Sequence, residues 1–208
     1  MKPAKSLQFQ VEKNKFINHA IEEIPEEQLI LAADEIKVKV DLFSFTSNNI
    51  TYAVSGAIIR YWEFFPPVGK QTEGWGVIPV WGFADVVESK ADGIPVGDRI
   101  FGYFLPASHL KMKAGHITAK RFIDVTEHRS TLPPTYNLYR RVLSEPNYDQ
   151  KLDRDRALFY PLYITSFCLW DSLQENSWFG AEQIIILSAS SKTSIGLAYG
   201  LHSDDTAP

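Results

Sequence analysis

Near the C-terminal end of the chain, Gln183 is followed by Ile184, Ile185, Ile186 and Leu187, an aliphatic run with no polar residue inside it. A strand apolar on both faces must be buried on both faces, which is the habit of a strand inside a parallel sheet. The run gives way to Ser188-Ala189-Ser190-Ser191-Lys192-Thr193-Ser194, a small polar turn, and then to Ile195-Gly196-Leu197-Ala198, where glycine and alanine permit close helix packing. Strand, turn and helix together read as the opening of an α/β nucleotide-binding unit. A parallel strand needs neighbours joined by crossovers, and such a unit needs several of them. Only residues 197–208 follow the turn. The expectation is therefore an α/β unit left incomplete within this chain, with unpaired sheet edges open to pairing between chains as a homo-oligomer.

The first half reads differently. In Glu35-Ile36-Lys37-Val38-Lys39-Val40-Asp41-Leu42, apolar and charged residues alternate strictly, as in an antiparallel strand with one face in solvent. Residues 7–11 and 16–24 flank an Asn14-Lys15 turn and predict a hairpin. Further strands are predicted at 77–87, 99–104 and 122–125, punctuated by Gly69, Gly74, Gly93, Gly97 and Gly102 and by Pro66, Pro67 and Pro95. Short strands with regular turns point to a barrel or sandwich. Residues 143–156 are polar and read as a surface loop or short exposed helix. A buried helix is expected over about 163–173. This places one domain at 1–156 and a connecting helix with the incomplete α/β unit at 157–208.

The chain has 45% hydrophobic and 22% charged residues, a globular composition. Its net charge of −4, with no basic run, gives a nucleic acid no electrostatic footing. Cys168 is the single cysteine, so no internal disulfide forms and nothing calls for an oxidising compartment. The start MKPAKSLQFQVEKNK has no apolar core with a cleavage site, and Pro161 interrupts the most apolar stretch, 157–173. A cytoplasmic protein with no membrane partner is expected.

Several motifs follow one another in an order that resembles the medium-chain dehydrogenase/reductase superfamily, in its zinc-independent, quinone-oxidoreductase-like branch. Thr51-Tyr52-Ala53-Val54-Ser55-Gly56 looks like that branch's T-Y-x-x-S-G run. Trp81-Gly82-Phe83-Ala84-Asp85-Val86-Val87 stands where the superfamily has P-G-x-E-x-x-G-x-V. Val96-Gly97-Asp98-Arg99-Ile100-Phe101-Gly102 matches V-G-D-R-V-x-G, and Ile164-Thr165-Ser166-Phe167 resembles its L-T-A-Y helix. The Ser-Ala-Ser-Ser-Lys-Thr turn is also similar to a branch defined only as a domain of unknown function. The resemblance implies a mostly-β α+β chain: a GroES-like, partly open catalytic barrel followed by the truncated start of a Rossmann domain. It also implies an NAD(P)H-dependent oxidoreductase that reduces an enone, quinone or related carbonyl by hydride transfer. Because the Rossmann part is incomplete, this chain alone is expected to retain little cofactor and little activity. The alternative is a non-catalytic remnant or a binding module for a small molecule or protein.

Candidate site residues follow from the same motifs. Tyr52 offers an O–H to a developing oxyanion, and Asn48, Asn49 and Thr51 could orient substrate or water. Core packing of Tyr52 and helix capping by Ser47 or Asn48 stand beside that reading. For NADPH, Ser190, Ser191, Lys192, Thr193 and Gly196 would meet the phosphates and Thr165 the nicotinamide side. Equally, Ser190 or Ser191 caps a helix, Lys192 is solvated and Thr165 is structural. The aromatic segment 61–67, with Trp75 and Trp81, lines an apolar cleft or packs the core. Zinc is not expected: Gly82-Phe83 occupies the position of the family's G-H-E histidine, and His109, His116 and His128 have no ligand spacing.

Overall fold

The computed structural model describes residues 5–69, 72–188 and 190–208. The first four residues of the segment read for a leader, and Ala189 within the expected phosphate turn, lie outside the described residues. The chain divides into two compact units, Met1–Arg154 and Asp155–Pro208.

The first unit carries β1 (Leu7–Glu12), β2 (Lys15–Glu23), β3 (Glu35–Ser44), α1 (Asn48–Val54), β4 (Trp75–Gly76), β5 (Val80–Ser89), β6 (Arg99–Phe104), β7 (His109–Gly115), β8 (Arg121–Asp124) and β9 (Leu138–Arg141). Six of these strands close a barrel in the order β3-β5-β6-β9-β8-β7, and β2-β1-β4 form a separate sheet. The expected barrel in a mixed α+β chain is therefore present. Its ring is uneven. The β3–β5 ladder is long, whereas β6–β9 pairs only Ile100 with Arg141 and Phe101 with Arg140, so the ring closes through a short seam.

The alternation in β3 explains the interior. Ile36 and Val38 are fully buried and Val40 packs against them, together with Val80, Ala84, Ile100, Phe104, Met112 and Phe122. Lys37 and Lys39 stay on the outer face, as a period of two requires. Register slips between Val40 and Leu42, where Phe43 comes to face Gly82. A Cβ on Gly82 would lie 2.2 Å from the Leu42 carbonyl oxygen, so only glycine permits this approach.

The V-G-D-R segment acquires a structural reason. Gly97 turns the chain at φ 89°. Asp98 then accepts a hydrogen bond from Arg141 Nε, and Arg99, 5% exposed, donates to Asp41, Asp85 and Asp153 and to the Tyr148 hydroxyl. One guanidinium thus ties β3, β5 and β6 to the first residue of α2 (Asp153–Glu175).

Several boundaries differ from expectation. The hairpin turn falls on Lys13-Asn14, and a three-residue irregularity in β2 separates the Val11–His19 pair from the Glu12–Lys15 pair. Strands β7 and β9 were not anticipated. In β7 the pattern Leu110-Lys111-Met112-Lys113-Ala114 does alternate. β9 lies in a polar stretch and is held by ring closure and by Tyr139, which is fully buried.

In the second unit, α2 begins ten residues before the expected start and runs through Pro161. It is not the buried helix that its apolar sequence predicted. Phe159, Tyr163, Phe167 and Leu169 are exposed, as is Cys168. Residues 183–187, read as a parallel strand, form no ladder. With no strand among the described residues of this unit, their backbone has nothing to pair with. After α2 the backbone turns left-handed at Ser177, Trp178 and Phe179 (φ 50°, 57° and 53°) before Gly180. α3 (Lys192–His202) closes the unit. Among the described residues, no helix is long and apolar enough to cross a membrane.

Candidate functional site

The site is built first from α1. Its Asn48, Thr51 and Tyr52 are spaced i, i+3 and i+4, which places them on one side of the helix. Asn48 and Thr51 are exposed and Tyr52 is half-buried. The neighbouring Asn49 behaves otherwise. Its Oδ1 accepts the Thr46 backbone N–H at 2.7 Å and its Nδ2 donates to the Pro79 carbonyl at 2.9 Å, so its amide anchors α1 to the segment leading into β5. That corrects the reading of Asn49 as a substrate-orienting group. Ser47 precedes α1 but makes no side-chain cap; Thr46 Oγ1 instead accepts the Asn48 backbone N–H.

Tyr52 sits in an aromatic cluster drawn from distant parts of the first unit. Its ring meets Tyr61 edge-on at 4.8 Å and Tyr103 at 5.6 Å. Trp81 and Tyr103 are register partners on β5 and β6, which sets their rings 5.3 Å apart. A 3-10 turn, Pro134–Asn137, brings Tyr136 to 4.5 Å from Tyr103, and its hydroxyl lies 2.9 Å from that of Tyr61.

Hydrogen bonding decides what Tyr52 can do. Trp81 Nε1 has only a donor to offer, so at 3.2 Å it donates to the Tyr52 oxygen. The phenol keeps its own proton available for another acceptor. Burial raises the Tyr52 pKa above its ordinary value, the Trp81 N–H opposes that rise, and Tyr61 adds to it. Tyr52 is thus a neutral donor near neutral pH, with a second N–H already in place to stabilise charge on its oxygen. Tyr103 is fully buried, its hydroxyl has no hydrogen-bond partner among the described residues, and burial raises its pKa strongly. Burial raises the Tyr136 pKa as well, with the Tyr61 hydrogen bond adding to it.

The second candidate cluster belongs to the second unit. Ser191 caps α3: its Oγ accepts the Ser194 N–H at 3.1 Å and lies 2.7 Å from Ser194 Oγ. Ser190 and Lys192 are exposed. Gly196 faces α2, where a Cβ would lie 2.7 Å from Ser166 Oγ, and that hydroxyl donates to the Thr193 carbonyl at 2.7 Å. Gly196 and Thr193 therefore serve α2–α3 packing. Thr165 Oγ1 donates to the Pro161 carbonyl one turn back, the structural alternative for that residue. What remains for an anion is the N-terminal backbone of α3, the Lys192 ammonium and Ser190. No group of three or more His, Cys, Asp or Glu able to hold a metal occurs among the described residues.

The sequence marks Tyr52 as a candidate and, through segment 61–67 and Trp81, part of its surroundings, but not Tyr103 or Tyr136. Tyr61, Tyr103 and Tyr136 share no local pattern, and the closed ring with the 3-10 turns Tyr61–Glu63 and Pro134–Asn137 brings them together. The usable signals were the aromatic segment 61–67, which holds Tyr61, and Trp81, both already singled out for an apolar cleft.

The chain belongs to the family described as "Protein of unknown function (DUF2855)", which matches residues 43–208 and so takes in both α1 and the α3 turn. Curated proteins give no match. Among solved structures the chain is similar to the crystal structure of the CurK enoyl reductase, at 14% identity and a TM-score of 0.36, over 53% of this chain and 33% of that one. The chain therefore spans about a third of that protein's length.

Proposed function

We propose that this member of the family is the substrate-side part of a zinc-independent, NAD(P)H-dependent oxidoreductase that reduces an enone, quinone or related carbonyl. The observation that carries the reading is Tyr52: a half-buried phenol whose oxygen accepts the Trp81 N–H and whose own proton is uncommitted. Such a group donates to a carbonyl oxygen as negative charge develops there, and its neutral state is maintained by burial. Asn48 and Thr51, exposed beside it on α1, would orient a substrate or a water. The dinucleotide's phosphates would be held by the α3 N-terminus, the Lys192 ammonium and the Ser190 hydroxyl; Ser191 is engaged in capping. A reduced nicotinamide would supply the hydride. The residues of this chain bind the carbonyl, exclude water with the Tyr61–Tyr103–Tyr136 cluster and deliver a proton from Tyr52.

Tyr52→Phe tests this directly, since it removes one hydroxyl and keeps the ring packing. In a protein that oxidises NADPH in the presence of an enone or quinone, the variant is expected to lose about 10²-fold or more in kcat with little change in NADPH affinity. Unchanged turnover would remove Tyr52 from the chemistry.

A second reading, a non-catalytic binding module, draws on the unpaired 183–187 segment, where Ile185 is 80% and Leu187 96% exposed. Absence of any NADPH-induced rise in melting temperature at millimolar cofactor would favour it.

A further inference from the structure

The first unit also holds a cavity of about 300 Å³ on the side of Phe64 and Phe65, near the β2-β1-β4 sheet. Its apolar wall includes Ile24, Phe64, Phe65 and Leu105, all buried. Its polar lining is asymmetric. Asp124 is its one carboxylate, and both oxygens are engaged: Oδ2 accepts Arg129 Nη1 at 2.6 Å, and Oδ1 accepts the backbone N–H and hydroxyl of Thr126. What stays uncommitted is on the donor side.

Arg129 shows this by valence. The residue is 1% exposed, with Phe64 and Phe65 rings 5.3 and 5.0 Å from its guanidinium carbon. Its Nε donates to Asn137, its Nη1 to Asp124 and Tyr139, and its Nη2 to the Tyr136 carbonyl. A guanidinium has five N–H groups, so among the described residues one on Nη2 is left without an acceptor. At the rim, Lys111 donates to the Ile30 carbonyl at 3.2 Å and faces Glu35 at 3.5 Å, which leaves a third ammonium N–H. His109 uses Nδ1 on Ser6 and has Nε2 left over.

We propose that this cavity binds a small organic carboxylate, its apolar body against Phe65, Leu105 and Ile24 and its carboxylate shared between Arg129 and Lys111. A half-open, mostly apolar cleft with a few convergent donors and an already neutralised acid is the composition of a site for such a ligand. The proposal is independent of the hydride-transfer reading, since none of these residues belongs to the Tyr52 or α3 groups.

The test is an NMR titration of the full chain with benzoate and with benzamide, which share a shape and differ in charge. Benzoate is expected to bind saturably and to shift the Ile24 and Leu105 methyls and the Arg129 Nε–H. Benzamide should bind about tenfold more weakly or worse, a difference of about 1.4 kcal/mol. Lys111→Met keeps the aliphatic stem and avoids the buried Arg129. It should weaken benzoate several-fold and leave benzamide unchanged, with spectral dispersion reporting the fold. Benzamide binding as tightly as benzoate, shifts centred on Tyr52 or Phe43 instead, equal benzoate affinity in Lys111→Met, or no saturation would each overturn the proposal.

Discussion

In the first unit Ile36, Val38, Ile100 and Phe122 are fully enclosed, whereas in the second Ile185 is 80% and Leu187 96% exposed. Both sets sit in sequence that reads as strand. The difference lies in hydrogen-bonding partners. β3 has β5 on one side and β7 on the other, so its side chains are held against a second layer of residues. Residues 183–187 have no ladder, so hydrophobicity alone leaves Ile185 and Leu187 in solvent and Ile184 and Ile186 only half-buried. A run of isoleucines specifies burial only when its backbone has somewhere to bond.

That contrast is open to measurement. The largest expected effect is in amide exchange: β3 and β5 amides should be protected by several orders of magnitude over those of Ile185 and Leu187. Comparable protection would mean that the C-terminal run has a partner in solution. Next, Arg129→Met should destabilise the first unit by about 3–5 kcal/mol, because it strands the Asp124 carboxylate in the core; urea unfolding followed by tryptophan fluorescence measures this. Gly82→Ala should cost about 1–3 kcal/mol in the same assay, since its Cβ meets backbone at Leu42. By contrast, Leu187→Ser should stay within about 0.5 kcal/mol, and a larger loss would break the comparison.

The smallest effect is a pH dependence. Burial, then the charges of Lys37 and Lys39, lower the His109 pKa in the folded protein. The unfolded chain then takes up the proton more readily, so stability falls as pH drops below about 6.5 and on through the folded pKa. His109→Gln should flatten that slope.

How much could be read beforehand varies with the element. β3 was legible because its charges and aliphatics alternate over its whole inner half, and β6 because Gly97 and Asp98 mark its entry turn. The short seam strand β9 was not, since Leu138-Tyr139-Arg140-Arg141 gains its identity from closing a ring, which is a long-range event. Tyr52 was reachable through its T-Y-x-x-S-G context. Asn49 was misread because an amide beside a candidate tyrosine carries no mark of whether it faces a substrate or the Pro79 carbonyl. The Arg129 guanidinium was invisible: its partners Asp124, Asn137 and Tyr139 come from separate segments, and the sequence offers only a scatter of ordinary polar residues.

The left-handed stretch after α2 has a consequence of the opposite sign to most substitutions. Ser177, Trp178 and Phe179 are L-residues wound against their natural hand, at about 1–2 kcal/mol each. Replacing the exposed Phe179, 73% accessible, by asparagine or glycine should relax the backbone with little packing lost, and heat resistance should go up rather than down. Trp178 is buried and does not offer the same exchange. The reversal of winding is therefore a store of unused stability lying next to a side chain that the fold does use.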